Sequence, residues 1–343
     1  VVSDEMGEYI ALALLLMRER GLGAASAWAP YIDILPSSEE VGQTFVWSDD
    51  ELRMLEGSEV VATTRSFQAK LRAEFETLKT LLASTAGEEL QAMVSWEAFE
   101  WAMSMLFSRG INLPQEQALA LVPYADLLNH SPYSTSYFMD NKIPLSSERE
   151  VVLYSDRNYA RNDQVLISYG QKSNAELALL YGFVVDRNLF DQVELAVSVS
   201  TDDPRHLEKE HYLRAQGLET RIAFPLLIDR YSSELMQFLR LGCMGTSDGP
   251  LASVAYNEPI SPENEASAFT ALRAGCEKAL AAYPDSEEDD AKLMENSRLF
   301  ATLSRRARVA VKLRRNEKKI LLRTIRVCDT ALLGLNKPAA SAA

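Results

Sequence analysis

The sequence predicts an α+β chain in two parts, with a strand-rich stretch over residues 120–200 set between helical regions. Three observations carry this. Apolar residues recur at helical spacing up to about residue 118, short strands and turns take over after Pro123, and from Asp203 onward the pattern is helical almost throughout. A length of 343 residues suggests about two domains, and the compositional boundary falls near residues 188–203.

The first helix is read over residues 4–20, with Ile10, Leu14 and Met17 on one stripe and Arg18 and Arg20 near its C-terminal end, where cations suit the helix dipole. Gly21-Leu22-Gly23 stops it; this pair of glycines follows a helix rather than a strand and lacks the third glycine of a dinucleotide fingerprint. Ser48-Asp49-Asp50-Glu51 is a capping box. Phe67, Leu71, Phe75, Leu78 and Leu82 give a helix over residues 66–82, and Ser95 caps another that buries Trp96, Phe99, Met103, Leu106 and Phe107 and ends at Ser108-Arg109-Gly110. Residues 151–154 and 164–169 read as strands, with Asn162-Asp163 as the tight turn before the second, since both residue types tolerate left-handed backbone. Ser173-Asn-Ala-Glu176 is a second capping box that starts a helix to Leu180, and residues 192–198 form one more strand. Helices follow from Asp203-Pro204 to about 216 and over residues 224–241, 262–282 and 287–332. The acidic run 285–290 reads as a loop, and the cationic cluster 305–319 as a solvated face.

Composition removes several function classes. A net charge of −14, from 35 Lys and Arg against 49 Asp and Glu, argues against general affinity for nucleic-acid backbones. Cys243, Cys276 and Cys328 lie too far apart for a cysteine-rich zinc cluster and fit a reducing compartment. The longest apolar run, residues 9–17, is far shorter than the roughly 18 residues of a membrane span. The chain opens at Val1 as if already inside a domain, and no signal or transit segment is read.

Only three histidines exist, so common site designs can be tested by counting. His130 and Ser131 have no strand-to-helix elbow for a serine triad, and His206 and His211 are not on one helical face as a zinc site requires. Asn129-His130, with Asp126 close by, is either a buried polar turn or the polar end of a site. Tyr169 and Tyr181 flank a helix start and are either aromatic core or a pair of phenols beside a positive dipole end. Arg109 is either a solvated helix-end charge or a reach toward an anionic group.

Taken together, Pro123-Tyr-Ala-Asp-Leu-Leu-Asn-His-Ser131, Val165-Leu-Ile-Ser-Tyr-Gly170 and Lys172-Ser-Asn-Ala-Glu-Leu-Ala-Leu-Leu-Tyr-Gly-Phe183 resemble the SET-domain protein lysine methyltransferases of the Rubisco large-subunit methyltransferase group. The resemblance extends upstream through Arg18-Glu-Arg20, Tyr31 to Pro36 and Trp47 to Gly57, and downstream into the helical half. It implies a β-rich SET core with its pseudoknot and an inserted helical subdomain at about residues 1–118 of a domain spanning 1–190. An all-α substrate-binding domain over 191–343 follows.

The resemblance further implies S-adenosyl-L-methionine as cofactor, held by Asn129, His130 and Arg109, with Tyr169 catalytic and Asp126, Tyr137 and Tyr181 on the substrate side. The implied partner is a protein bearing the target lysine, such as Rubisco large subunit or aldolase, in the chloroplast stroma, with cytoplasm or nucleus as the alternative. No metal, nucleic acid or membrane is implied. Asn162-Asp163 replaces the group's usual Gly-Glu and keeps its turn chemistry. The group's Gly-rich cofactor loop should precede residue 1, and Gly21-Leu22-Gly23 cannot stand in for it from the far side of the first helix, so the quoted motifs supply one wall of the pocket. The other readings are a catalytically silent SET-fold binding module and a histidine N-methyltransferase of the same family.

Overall fold

The structure, a computed structural model, describes residues 7–115, 117–143, 149–254 and 258–335. It divides into two compact units, the first from Val1–Leu52 and Val60–Leu189, the second from Arg53–Glu59 and Phe190–Ala343.

The first unit opens with α1 (Gly7–Leu22), α2 (Ala29–Ile32), α3 (Asp49–Arg53, its last residue in the second unit), α4 (Val60–Thr85), α5 (Glu88–Met93) and α6 (Trp96–Arg109). Positions 4–6 of the expected first helix lie outside the described residues. α1 ends where Gly23 takes φ +53. α4 begins earlier than the apolar stripe suggests, because its first turns are held by burial: Val60 is buried and the Thr64 hydroxyl lies 2.7 Å from that of Thr44. Tertiary contact here overrides the weak helix propensity of β-branched residues. The apolar faces of α1, α4 and α6 form the core, with Ile10, Met17, Leu71, Leu78, Phe99 and Met103 near its centre.

The strands of this unit are short. β1 (Ile111–Leu113) pairs antiparallel with β2 (Ala118–Ala120), and β4 (Tyr137–Lys142) with β5 (Arg149–Tyr154). Between these pairs lies β3 (Asn129–His130), which pairs in parallel with β6 (Leu166–Ile167). The strand expected over 164–169 is thus confined to two residues, since the Tyr169 N–H leaves the ladder to bond the His130 ring. Asn162 takes φ +73, as the turn chemistry predicts. α7 (Asn174–Tyr181) starts on the complete Ser173–Glu176 capping box and ends on Gly182 at φ +75. A Cβ at Gly182 would run into the Gly42 main chain, so glycine is required there on two counts.

The second unit carries β7 (Gln192–Ser198), α8 (His206–Ala215), β8 (Arg221–Leu227), α9 (Ser233–Gly242), α10 (Pro262–Ala281), α11 (Glu287–Glu295), α12 (Ser297–Thr302) and α13 (Arg305–Leu335). It is mainly helical, as expected, with one two-stranded ribbon that an all-α reading leaves out. β8 pairs with the whole of β7, from Ser198 opposite Arg221 to Gln192 opposite Leu227. The helix expected from residue 224 therefore starts only at Ser233, on the Ser232 cap, because residues 221–227 are committed to the ladder with β7. The strand's partner lies about thirty residues back in the sequence, beyond the reach of local pattern.

Two further expectations are corrected. The acidic run 285–290 is a helix start, not a loop: Ser286 and Asp289 form a capping box, and four acids occupy the first turn, where the dipole favours them. The cluster 305–319 is not wholly solvated, because Arg314 and Lys318 are buried against Asp290. The helix read as one piece over 287–332 is broken at Asn296, which caps α12, and again before α13. No described helix is long and apolar enough to cross a membrane.

Candidate functional site

The site is assembled in the first unit where α6 ends and β3 meets β6. Gly110 follows Arg109 so tightly that a Cβ on it would stand 2.6 Å from the Leu106 carbonyl oxygen and 2.8 Å from Leu119. Residues 125–127 form a 3₁₀ turn preceded by Tyr124 at φ +77, a conformation side-chain-bearing residues rarely adopt. That turn presents Asp126 to Arg109: the guanidinium Nη1 donates to the Asp126 carbonyl at 3.2 Å and lies 3.5 Å from its Oδ2. Tyr31 donates its hydroxyl to the same Oδ2 at 2.6 Å. Oδ1 of Asp126 is buried and has no partner among the described residues. Burial, then the bond to Asp126, pushes the Tyr31 phenol well above its usual range.

The parallel pairing of Asn129 with Leu166 and His130 with Ile167 brings the two sequence landmarks side by side. The His130 Nδ1 accepts the Tyr169 N–H at 3.1 Å, which puts the ring proton on Nε2; burial lowers the imidazole's pKa, with the Ile167 main chain opposing. Tyr169 donates its hydroxyl to the Leu128 carbonyl at 2.7 Å. Its ring stacks on Tyr181 at 4.8 Å and on His130 at 5.1 Å, and Phe183 lies about 6 Å from all three. Burial raises both phenols; that of Tyr181 is pushed up to about 12. At neutral pH these are neutral hydroxyls on an aromatic wall.

A cleft of about 300 Å³ runs along this wall, lined among others by Arg109, Asp126, Phe138, Tyr169, Lys172 and Tyr181. Four expected site residues, Arg109, Asp126, Tyr169 and Tyr181, therefore meet in one cleft. His130 supports it from behind Tyr169, and Asn129 is exposed on β3. Tyr137 is not brought to the cleft: it stacks on Tyr154 at 5.1 Å with half its surface exposed, while Phe138, on the other face of β4, lines the cleft. Sequence reading missed Tyr31, Phe138, Lys172 and Phe183 as parts of the site. Lys172 and Phe183 sat inside the quoted motifs; Tyr31 lies 95 residues from Asp126, and only folding joins them. Among the described residues no group of three or more His, Cys, Asp or Glu could hold a metal ion.

Residues 200–321 match the Rubisco LSMT substrate-binding family. The ribulose-1,5 bisphosphate carboxylase/oxygenase large subunit N-methyltransferase of Pisum sativum is 30% identical over 335 residues, covering 93% of this chain and 67% of that protein. The chain belongs to the Rubisco large-subunit methyltransferase family of SET-domain proteins. Within the family's wider kin, the actin-histidine N-methyltransferase of Homo sapiens is 28% identical over 92% of this chain and 55% of its own length. The crystal structure of the SET domain of LSMT bound to lysine and AdoHcy superposes with a TM-score of 0.76 at 29% identity, covering 98% of this chain and 79% of that one. The chain thus spans about two thirds of the length of its pea relative and about half that of the human one. The SET fold and the helical second unit follow from these matches, and the relatives named are N-methyltransferases.

Proposed function

We propose that this chain is an S-adenosyl-L-methionine-dependent protein-lysine N-methyltransferase. Residues 1–190 act as the SET domain and 191–343 recognise the protein substrate, a division supported by the compact units and the matched segment 200–321. Tyr169 is the catalytic residue. Arg109, Asn129 and His130 hold the cofactor, and Asp126 and Tyr181 face the substrate. The observation that carries the reading is the Tyr169 hydroxyl, fixed on the Leu128 carbonyl beside stacked aromatic rings in a cleft that also holds Arg109 and Asp126.

The residues suit the cofactor's chemistry. Arg109 offers a guanidinium for its carboxylate, and the buried Asp126 Oδ1 is an acceptor left for a ligand's donor. When bound, the cofactor supplies a methyl group on a sulfonium, a leaving group that needs no further activation. The chain's own residues then align a neutral amine and keep water away. Tyr169 has committed its proton to Leu128, and burial keeps the phenol protonated, so its oxygen is left as an acceptor for an amine N–H. It orients the nucleophile without removing its proton. A lysine amine, ordinarily near 10.4, is driven toward its neutral form by the aromatic walls of Tyr169, Tyr181 and Phe138, which solvate an ammonium poorly. The same aromatic faces tolerate a methylated product.

A second reading, methyl transfer to histidine, has support in the human relative. The deciding experiment has two stages. Calorimetric titration with S-adenosylmethionine should show binding, and its absence would sink the reading for this chain. Incubation of a lysate with isotope-labelled cofactor, followed by mass spectrometry of the labelled protein, should place the label on lysine. Label on histidine moves the chain to the second reading. Relatives from Pisum sativum and Arabidopsis thaliana are named chloroplastic, the one for Rubisco large subunit and the other for fructose-bisphosphate aldolase, which supports the chloroplast as compartment and these two proteins as the first acceptors to try.

A further inference from the structure

One charged group in the cleft has no part in the chemistry above. Lys172 follows the turn at Gly170, where φ is +103, and its Cε lies 3.9 Å from where a Cβ on Gly170 would stand. The side chain therefore folds back along the Tyr169 turn and lines the same cleft as Tyr169 and Tyr181. Among the described residues Lys172 makes one hydrogen bond, its main-chain carbonyl accepting from the Asn188 amide at 2.7 Å, and its ammonium has no acceptor and no carboxylate partner.

The other charged groups around the cleft each have a hydrogen-bond partner. Asp126 is tied to Tyr31 and faces Arg109, so those two opposite charges offset each other. Glu176 is occupied by the cap of α7, and Glu8, beside Tyr9 on α1, accepts the Leu119 N–H. Tyr9, Tyr169 and Tyr181 are neutral phenols. Glu176 and Glu8 keep their negative charge, but their oxygens are turned to the α7 cap and the Leu119 N–H; Lys172 is the cation of the cleft that no carboxylate meets among the described residues.

We propose that Lys172 is an electrostatic positioning residue: its unpaired ammonium, sharing the cleft with the Tyr169 hydroxyl, repels a proton on the incoming lysine amine and so selects the neutral nucleophile. This rests on the lysine-methyltransferase reading of the site. At an effective dielectric of about 20 to 40, a like charge roughly 6 to 12 Å away shifts a protonation midpoint by about one pH unit. The effect resembles the activation of one amine by another in enzymes that form Schiff bases, here directed at the substrate.

The test compares K172M, which removes the charge, with K172R, which keeps it. The first readout is the number of protons released when Nα-acetyl-lysinamide binds in the presence of S-adenosylhomocysteine, obtained by calorimetry at pH 8 to 9 in buffers of different ionisation enthalpy. S-adenosylhomocysteine has no sulfonium, so the proton release reports the chain's own charges. Wild type and K172R should release the same fraction of a proton, and K172M clearly less. The second readout is the pH profile of methyl transfer: the acid limb of K172M should move up by about one unit. K172M should then be about tenfold slower at pH 7.5 and equal to wild type near pH 10. Affinity for S-adenosylhomocysteine should be unchanged within about twofold. Equal proton release in all three proteins overturns the proposal, as does failure of wild type to bind the lysinamide. Weakened S-adenosylhomocysteine binding by K172M with an unmoved acid limb also overturns it and makes Lys172 a cofactor ligand. A wild-type chain that binds the lysinamide and transfers no methyl group fails the enzyme reading alone, and its proton count still decides the role of Lys172.

Discussion

The two units treat charge in opposite ways. In the second, three buried cations meet their carboxylates at short range. Arg240 meets Glu265 through two bonds of 2.7 and 2.8 Å; Lys209 lies 2.5 Å from Asp203 and 2.8 Å from the Gly242 carbonyl. Lys318 lies 2.7 Å from Asp290 and donates to the carbonyls of Asp285 and Ser286. In the cleft of the first unit the ions are loosely matched. The Arg109 guanidinium stands 3.5 Å from the Asp126 carboxylate, and among the described residues one Asp126 oxygen and the Lys172 ammonium have no partner. Buried charge is tolerated in a fold when short contacts satisfy it. Charge left under-satisfied beside a cleft is available to a ligand. The second unit spends its ions on shape and the first keeps them for chemistry.

The largest effect that tests this contrast is expected from D290A. It strips two buried cations, Arg314 and Lys318, of their shared carboxylate, which costs about 3 to 5 kcal/mol when a buried pair loses one member. All four tryptophans, at positions 28, 47, 96 and 101, belong to the first unit, so their emission follows that unit while helical circular dichroism also follows the second. The urea midpoint by circular dichroism should fall well below that by emission. Equal shifts by both probes would break the contrast, because the ions would then stabilise the whole chain as one block. Next comes Y169F, expected to lower kcat about 10²-fold, in the range seen when one preorganised polar contact is lost from a transition state. Cofactor affinity, by calorimetry, should stay within about twofold. Unchanged turnover would remove Tyr169 from the chemistry.

The parts of this arrangement that could be read from sequence are those written in local rules. The Ser48, Ser95 and Ser173 caps, the left-handed turn at Asn162 and the two motif segments are all encoded within a few residues. What could not be read depends on partners far along the chain. β8 is held by β7, Tyr31 reaches Asp126, and Ser58 donates to Glu317 across 259 positions. The run 285–290 reads as a loop because closely spaced acids suggest solvent; the buried Arg314 and Lys318 that neutralise Asp290 lie more than twenty positions further along the chain. Tyr137, implied by the resemblance as a channel aromatic, lies one residue from Phe138, whose ring lines the cleft. In a strand, neighbouring residues point to opposite faces, and residue type alone does not say which face meets a cleft.

Glu317 sharpens the contrast from the other side, since it is the least comfortable ion of the second unit. It is fully buried, accepts from Ser58 at 2.7 Å and Tyr283 at 3.0 Å, and has its carboxyl pushed up to about 7 by burial, with Asp191 and Glu59 adding to the rise. A folded-state value above the unfolded one means that the folded state binds the proton more tightly. The contribution is therefore complete below about pH 4.5 and is lost as pH rises through 7, on the order of 3 kcal/mol in all. Wild type should lose stability between pH 5 and pH 8 by urea unfolding, and E317Q should lose markedly less. Parallel pH slopes for the two proteins would show that Glu317 is as well satisfied as the other ions of its unit.

The smallest effect is expected at Tyr137, and it tests where the site ends. Tyr137 stands directly opposite Tyr154 in the β4–β5 ladder, the rings stacked at 5.1 Å on a half-exposed face. Such a cross-strand aromatic pair is worth roughly 0.2 to 1 kcal/mol, so Y137A should lower the stability of the first unit by that amount, read by tryptophan emission. Turnover should change by less than about twofold, because the ring on the cleft side of β4 is that of Phe138. F138A should instead open the cleft to water and raise KM for the acceptor. If Y137A lowers kcat tenfold while F138A does not, the face of β4 that meets the substrate is the outer one. The boundary between the ligand-facing charges and the surrounding fold would then have to be drawn around the Tyr137–Tyr154 pair as well.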